Sequence, residues 1–138
     1  MGTRGLIHIK DGKKTIVTIY RQYDCYEEGI GQEIFDILAQ STIVNGYNAR
    51  MQAPNQFNGV GCLAAYLIGV LKEQKIGNVY IMPPNCKDVW EEYTYTISLD
   101  NIGNLNLKVV DVYNKNTLYD GNLRAYSTRL KKLKLKKA

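Results

Sequence analysis

The chain has one histidine and three cysteines among its 138 residues, and that scarcity removes several chemistries. Cys25, Cys62 and Cys86 are an odd number at wide spacing, which suits neither a disulfide framework nor a zinc site. Reduced thiols in a cytosolic compartment follow, and no metal or cofactor is expected. His8 is the only imidazole, so histidine-based catalysis has a single candidate. No apolar run approaches the roughly 20 residues of a bilayer-spanning helix, so no membrane association is expected. Met1-Gly2-Thr3-Arg4-Gly5 contains no apolar signal region, so no export is expected either. Leu6 stands where a myristoylation signal wants Ser or Thr.

What is present is an ordinary globular composition, 45% hydrophobic and 22% charged, in a length that suits one domain. The formal charge of +5 is unevenly placed. Residues 124–138 hold seven of the 18 basic side chains and no acid, leaving 11 bases against 13 acids in residues 1–123. The sequence therefore reads as a slightly acidic globular body, 1–123, followed by a basic tail, 124–138.

The organising stretch is 58–72, with no charge between Arg50 and Lys72. At helical spacing Val60, Leu63, Ala64, Leu67, Ile68 and Leu71 share one face. Gly61, Ala65 and Gly69 form a small-residue stripe on the other, beside Cys62 and Tyr66. A helix without a polar face is expected to be buried on both sides.

Before it, residues 4–10 and 15–21 are β-rich runs joined through Asp11-Gly12, a strong hairpin signal. With Asp11-Gly12 as the two turn residues, Lys10 faces Lys13, Arg4 faces Ile19 and Arg21 faces Gly2. Both guanidinium groups then crowd one end of the hairpin, with Asp24 as the nearest neutralising acid. A first helix is expected over 31–40 and irregular chain over 41–57. After the central helix, strands are expected at 79–82, 91–99, 105–113 and 117–119. The result is ββααββββ, a compact two-layer α+β domain with an N-terminal hairpin, two helices and C-terminal antiparallel strands.

Two places could hold chemistry. At the start of the central helix, free backbone N–H groups beside Asn58, Gly59 and Gly61 favour an anion, and the glycines admit a close approach. The commoner use of these residues is a cap and tight packing. The pattern lacks Gly-Lys-Ser/Thr, and it lacks the third glycine and following acid of a dinucleotide fingerprint. The loop Tyr23-Asp24-Cys25-Tyr26 offers aromatic faces with polar tips, suited to bases, sugars or a partner, or else to sealing the edge of the core. Arg4 and Arg21 could bring charge to the same ligand.

Two other features compete. Cys62 in the first turn of a buried helix is placed like the nucleophile of papain-like hydrolases, but its base would have to be His8, far upstream on a strand. An inert thiol is the simpler reading. In the tail, Arg129, Lys131, Lys132, Lys134, Lys136 and Lys137 could contact nucleic acid, although Leu130, Leu133 and Leu135 make no clean helical stripe. A plain solvated terminus explains them equally.

At Gly2-Thr3-Arg4-Gly5, Tyr23-Asp24-x-Tyr26, Gly29-x-Gly31 and Phe57-Asn58-Gly59 the sequence resembles a group of short proteins of bacteriophages, large DNA viruses and some fungi. The motifs are short and lie in the N-terminal half. Where that group has Tyr-Asp-Gly-Tyr-Pro, this chain has Cys25 and Glu27. The resemblance implies a viral or phage-like protein of the host cytoplasm and brings no activity with it.

Three functional readings stand side by side. The leading one is a non-catalytic protein that binds a small anionic, nucleotide-derived ligand through Arg4, Arg21, Tyr23, Asp24, Tyr26, Asn58, Gly59 and Gly61, for example to sequester a host signalling nucleotide. The alternatives are a virion or nucleic-acid-associated protein working through its tail, and a Cys62 hydrolase. A homo-oligomer is compatible with each.

Overall fold

In the computed structural model, residues 2–44, 56–73 and 76–136 are described. The chain runs β1 (Gly5–Asp11), β2 (Lys14–Arg21), a π-helical turn (Glu27–Gly31), α1 (Gln32–Leu38), β3 (Thr42–Val44), β4 (Gln56–Asn58), α2 (Gly59–Lys72), β5 (Val79–Met82), β6 (Tyr93–Leu99), β7 (Leu105–Asp111), β8 (Asn116–Asn122) and α3 (Tyr126–Lys136). It is the expected α+β fold. One mixed sheet has the order β5-β2-β1-β6-β7-β8, and β3 and β4 form a separate short parallel pair. Only β1 and β6 pair in parallel within the large sheet. That pairing needs a long crossover, and residues 83–92 supply it by passing from β5 at one edge to β6 beyond β2 and β1.

Strand alternation sorts the two faces. Ile7 and Ile9 of β1, Ile19 of β2, Tyr95 and Ile97 of β6, and Leu107 and Val109 of β7 are buried in one core with Ile34 and Leu38 of α1, Leu63 and Leu67 of α2, and Tyr126 and Leu130 of α3. The opposite face carries a cross-strand row, Met82, Thr18, His8, Thr96 and Lys108. Leu6 and Thr18 are fully buried on that face too. The Thr18 hydroxyl donates to the carbonyl of Pro84 at 2.8 Å, which fastens the crossover over the sheet.

Three expectations about the fold need correction. The hairpin turn is Gly12-Lys13, with Asp11 opposite Lys14, and Gly12 takes φ 65°. A positive φ at the first of two turn residues is what a type II′ turn asks of glycine. Ile16 is an extra residue in β2, so beyond it Ile9 faces Val17 and Gly5 faces Arg21. Arg21 therefore pairs three residues away from the expected Gly2, and Arg4 falls beside it on the alternate face rather than on the same one.

Secondly, α2 buries Val60, Leu63, Ala64, Leu67 and Leu71 as expected, but Cys62, Ala65, Tyr66 and Gly69 are exposed. Among the described residues, a Cβ added at Gly61 or Gly69 would meet nothing within 4 Å. The described residues cover the helix on one face.

Thirdly, residues 124–136 are not a free tail. Residues 126–136 are α3, with Tyr126 and Leu130 in the core. Lys137 and residues 45–55 of the expected irregular stretch lie outside the described residues. Among the described residues, no helix is long and apolar enough to cross a membrane.

Candidate functional site

The eight residues expected to form one site are divided between two ends of the sheet. Lys72, in the last turn of α2, bonds the carbonyl of Val79 at 2.9 Å, and Val79 pairs with Arg21. The C-terminal end of α2 thus sits by the tyrosine loop, and its first turn lies about 20 Å further along the helix axis. Asn58, Gly59 and Gly61 are consequently remote from Arg4, Arg21, Tyr23, Asp24 and Tyr26. Asn58 makes no side-chain capping bond, and Gly59 enters the helix at φ 84°.

At the tyrosine loop, Arg21 is buried at 7% exposure and already neutralised. Its Nη2 lies 2.7 Å from Glu33 Oε2, and its Nε donates to the Tyr23 carbonyl at 2.9 Å. Glu33 of α1, not Asp24, is its counter-ion. Arg4 has no side-chain hydrogen bond or ion pair among the described residues, and its carbonyl accepts from Glu92 N at 2.8 Å. Burial pushes the Cys25 thiol up to about 12; Arg21 opposes this, and Asp24, Glu33 and Glu92 add to it. Carboxylates outnumber cations here, so the surroundings repel an anion.

The loop's motif residues do a packing job. The Cys25 amide donates to the Thr3 carbonyl at 3.0 Å, and the Tyr95 hydroxyl donates to the Cys25 carbonyl at 2.7 Å. A Cβ at Gly5 would stand 2.7 Å from Cys25 Cβ, and one at Gly29 would stand 2.2 Å from the Asp24 carbonyl oxygen. These glycines let the N-terminal strand, the loop and the π-helical turn close on one another.

The Cys62 dyad cannot assemble. Cys62 projects to solvent from α2, which packs on the core face of the sheet, whereas His8 belongs to the opposite face. No cluster of three or more His, Cys, Asp or Glu side chains suited to a metal exists among the described residues.

The arrangement that favours an anion is elsewhere, on the crossover side. A cavity of about 300 Å³ opens between the sheet and residues 84–87. His8 and Lys10 of β1, Thr15 of β2 and Thr96 of β6 form its floor, and Asn85, Cys86 and Lys87 border it from the crossover. None of the described lining residues is a carboxylate. Its size is at the lower end for ligand pockets. Two other cavities are less suited. One of about 90 Å³ between α1 and the β6–β7 turn holds little more than water, and one of about 430 Å³ beside Ile68, Tyr80 and Ile81 is chiefly apolar.

His8 is held in one tautomer. Its Nδ1 lies 2.7 Å from Thr18 Oγ1, and Thr18 gives its only proton to the Pro84 carbonyl. Thr18 can then only accept from His8, so Nδ1 carries the ring proton and Nε2 keeps a lone pair. Burial lowers the His8 pKa below its ordinary value; Glu91 opposes the shift and Lys10 reinforces it. Glu91 is itself committed, accepting from Val89 N at 2.9 Å and Asp88 N at 3.3 Å.

Nothing in the sequence reading joined these residues, because β1, β2, β6 and the crossover meet only through long-range pairing. The available signal was a lone histidine inside an apolar strand with a lysine two residues on. We find no matching protein-family model, no matching curated protein and no matching solved structure.

Proposed function

We propose that this is a non-catalytic binding protein for a small anionic, nucleotide-derived ligand, and that the crossover pocket takes the ligand's phosphate. The observation that carries this reading is the pocket's lining: Lys10 and Lys87 supply charge, Thr15, Thr96 and Asn85 supply hydrogen bonds, and none of the described lining residues is a carboxylate. Trp90, three residues beyond Lys87, is 83% exposed and takes φ 69°. A bulky residue held in left-handed backbone and open to water is suited to stacking on a base. Sequestration of a signalling nucleotide in the cytoplasm of a host cell, by a viral or phage-like protein, is the concrete form we favour.

Trp90 is the only tryptophan, so its fluorescence is a direct reporter. Titration with a panel of mononucleotides and dinucleotides is expected to quench it saturably, with calorimetry giving the same affinity. Absence of saturable binding across the panel would remove the reading. A second reading rests on α3, which presents Lys131, Lys132, Lys134 and Lys136 to solvent. If nucleic acid is the partner, its affinity falls steeply with salt, whereas binding of a small ligand in the pocket changes less.

A further inference from the structure

The chemistry around His8 narrows the ligand class, on the reading that the crossover pocket binds an anion. In the neutral ring Nδ1 is occupied by Thr18, so a second proton can enter only at Nε2. His8 borders the pocket together with two cations, Lys10 from β1 and Lys87 from the crossover, with the hydrogen-bonding side chains of Thr15, Thr96 and Asn85, and with Pro84 and Cys86. The facing acid, Glu91, is turned to the backbone amides of Asp88 and Val89. With the pocket empty, adding a proton to His8 would bring a third positive charge close to Lys10 and Lys87. A ligand carrying two negative charges reverses that balance, because its field favours the imidazolium and Nε2–H becomes a donor to it. A phosphate monoester carries close to two charges at neutral pH, whereas a phosphodiester carries one.

We infer that the crossover pocket selects a terminal phosphate monoester over a phosphodiester, and takes up one proton at His8 Nε2 as the ligand binds. The proton comes from solvent, and no covalent bond is made or broken. The two lysines provide attraction for either class of phosphate. His8 provides the discrimination, since a dianion favours the imidazolium more strongly than a monoanion does.

The single histidine makes this measurable in the unmodified protein by nitrogen-15 NMR. The neutral ring is expected to show a protonated Nδ1 and a bare Nε2. Inorganic phosphate is expected to raise the His8 pKa, and dimethyl phosphate to raise it less. Calorimetry at pH 8 in two buffers of different ionisation heat should show proton uptake with inorganic phosphate. At pH 8, where inorganic phosphate is already chiefly the dianion and releases no proton on binding, His8→Gln, checked for folding, should bind it about tenfold more weakly, as for one lost charged hydrogen bond. Its heats should no longer depend on the buffer. If both phosphates bind alike, with no proton uptake, the inference fails while the anion pocket stands. If neither phosphate shifts the His8 signals or produces heat, the anion pocket itself fails.

Discussion

Arg129 grips Glu27 at two points, Nε to Oε1 at 3.1 Å and Nη2 to Oε2 at 2.9 Å, joining the last helix to the turn after the tyrosine loop. Glu27 is only 4% exposed, and the Tyr126 hydroxyl donates to the same carboxylate at 3.0 Å. Arg124 adds a bond from Nε to the Ala39 carbonyl at 2.8 Å. A basic segment that reads as a solvated terminus is thus part of the core.

Arg129→Ala leaves a buried carboxylate with two donor groups fewer. We expect a loss of about 1.5–3 kcal/mol, the range for hydrogen bonds to a charged group, with the lower end favoured because Arg129 is partly in water. Urea denaturation measures it. A chain ending at residue 123 uncovers the core beneath Tyr126 and Leu130 and should lose its cooperative transition. A truncated chain that melts like the parent would show that α3 adds nothing to the fold.

Gly69 tests the open face of α2. With no atom of the described residues near a Cβ at that position, Gly69→Ala should stabilise the protein by about 0.5–1 kcal/mol, the helix-propensity gain. The thermal midpoint should rise at every protein concentration. A fall in the midpoint would mean that another surface closes on this face, as the sequence pattern alone suggests.

The hairpin, the central helix and the β6–β7 pair were legible because each is written in local periodicity: Tyr95 and Ile97 alternate with Thr94 and Thr96, and Leu63 and Leu67 recur at helical spacing. The register was not, since it depends on one extra residue, Ile16, and on a turn shifted by one position to Gly12-Lys13. That small displacement moves Arg21 onto the helix face, where Glu33 takes its charge, and breaks up the expected two-arginine site. In α3 Tyr126 and Leu130 are buried and Leu133 is half-buried, at i, i+4 and i+7. Counting leucines alone, without Tyr126, hides this spacing. The pocket at His8 was invisible because its walls come from four segments brought together by a parallel pairing that has no local signature.

His8 also sets a pH dependence. Its folded pKa lies below the ordinary value of 6.5, so between the two the unfolded chain binds more protons than the folded one. Stability therefore rises with pH through that window. On acidification this contribution is lost from about pH 6.5 downward and levels off below the folded pKa. Relative to a folded His8→Asn variant, the parent should lose stability over this range in denaturant titrations at successive pH values. A parent that gains on the variant as pH falls would show that His8 is stabilised in its charged form.

On the proposed function the anion is held at the crossover and not at the tyrosine loop. One calorimetric comparison tests it, using the tightest-binding nucleotide of the panel with the parent, Lys10→Ala, Lys87→Ala and Arg4→Ala. Each lysine variant should lose about 1.5–3 kcal/mol of binding free energy, as for a lost charged hydrogen bond, while Arg4→Ala binds like the parent. Full affinity in both lysine variants, with binding lost in Arg4→Ala, would contradict the account and return the site to the tyrosine loop.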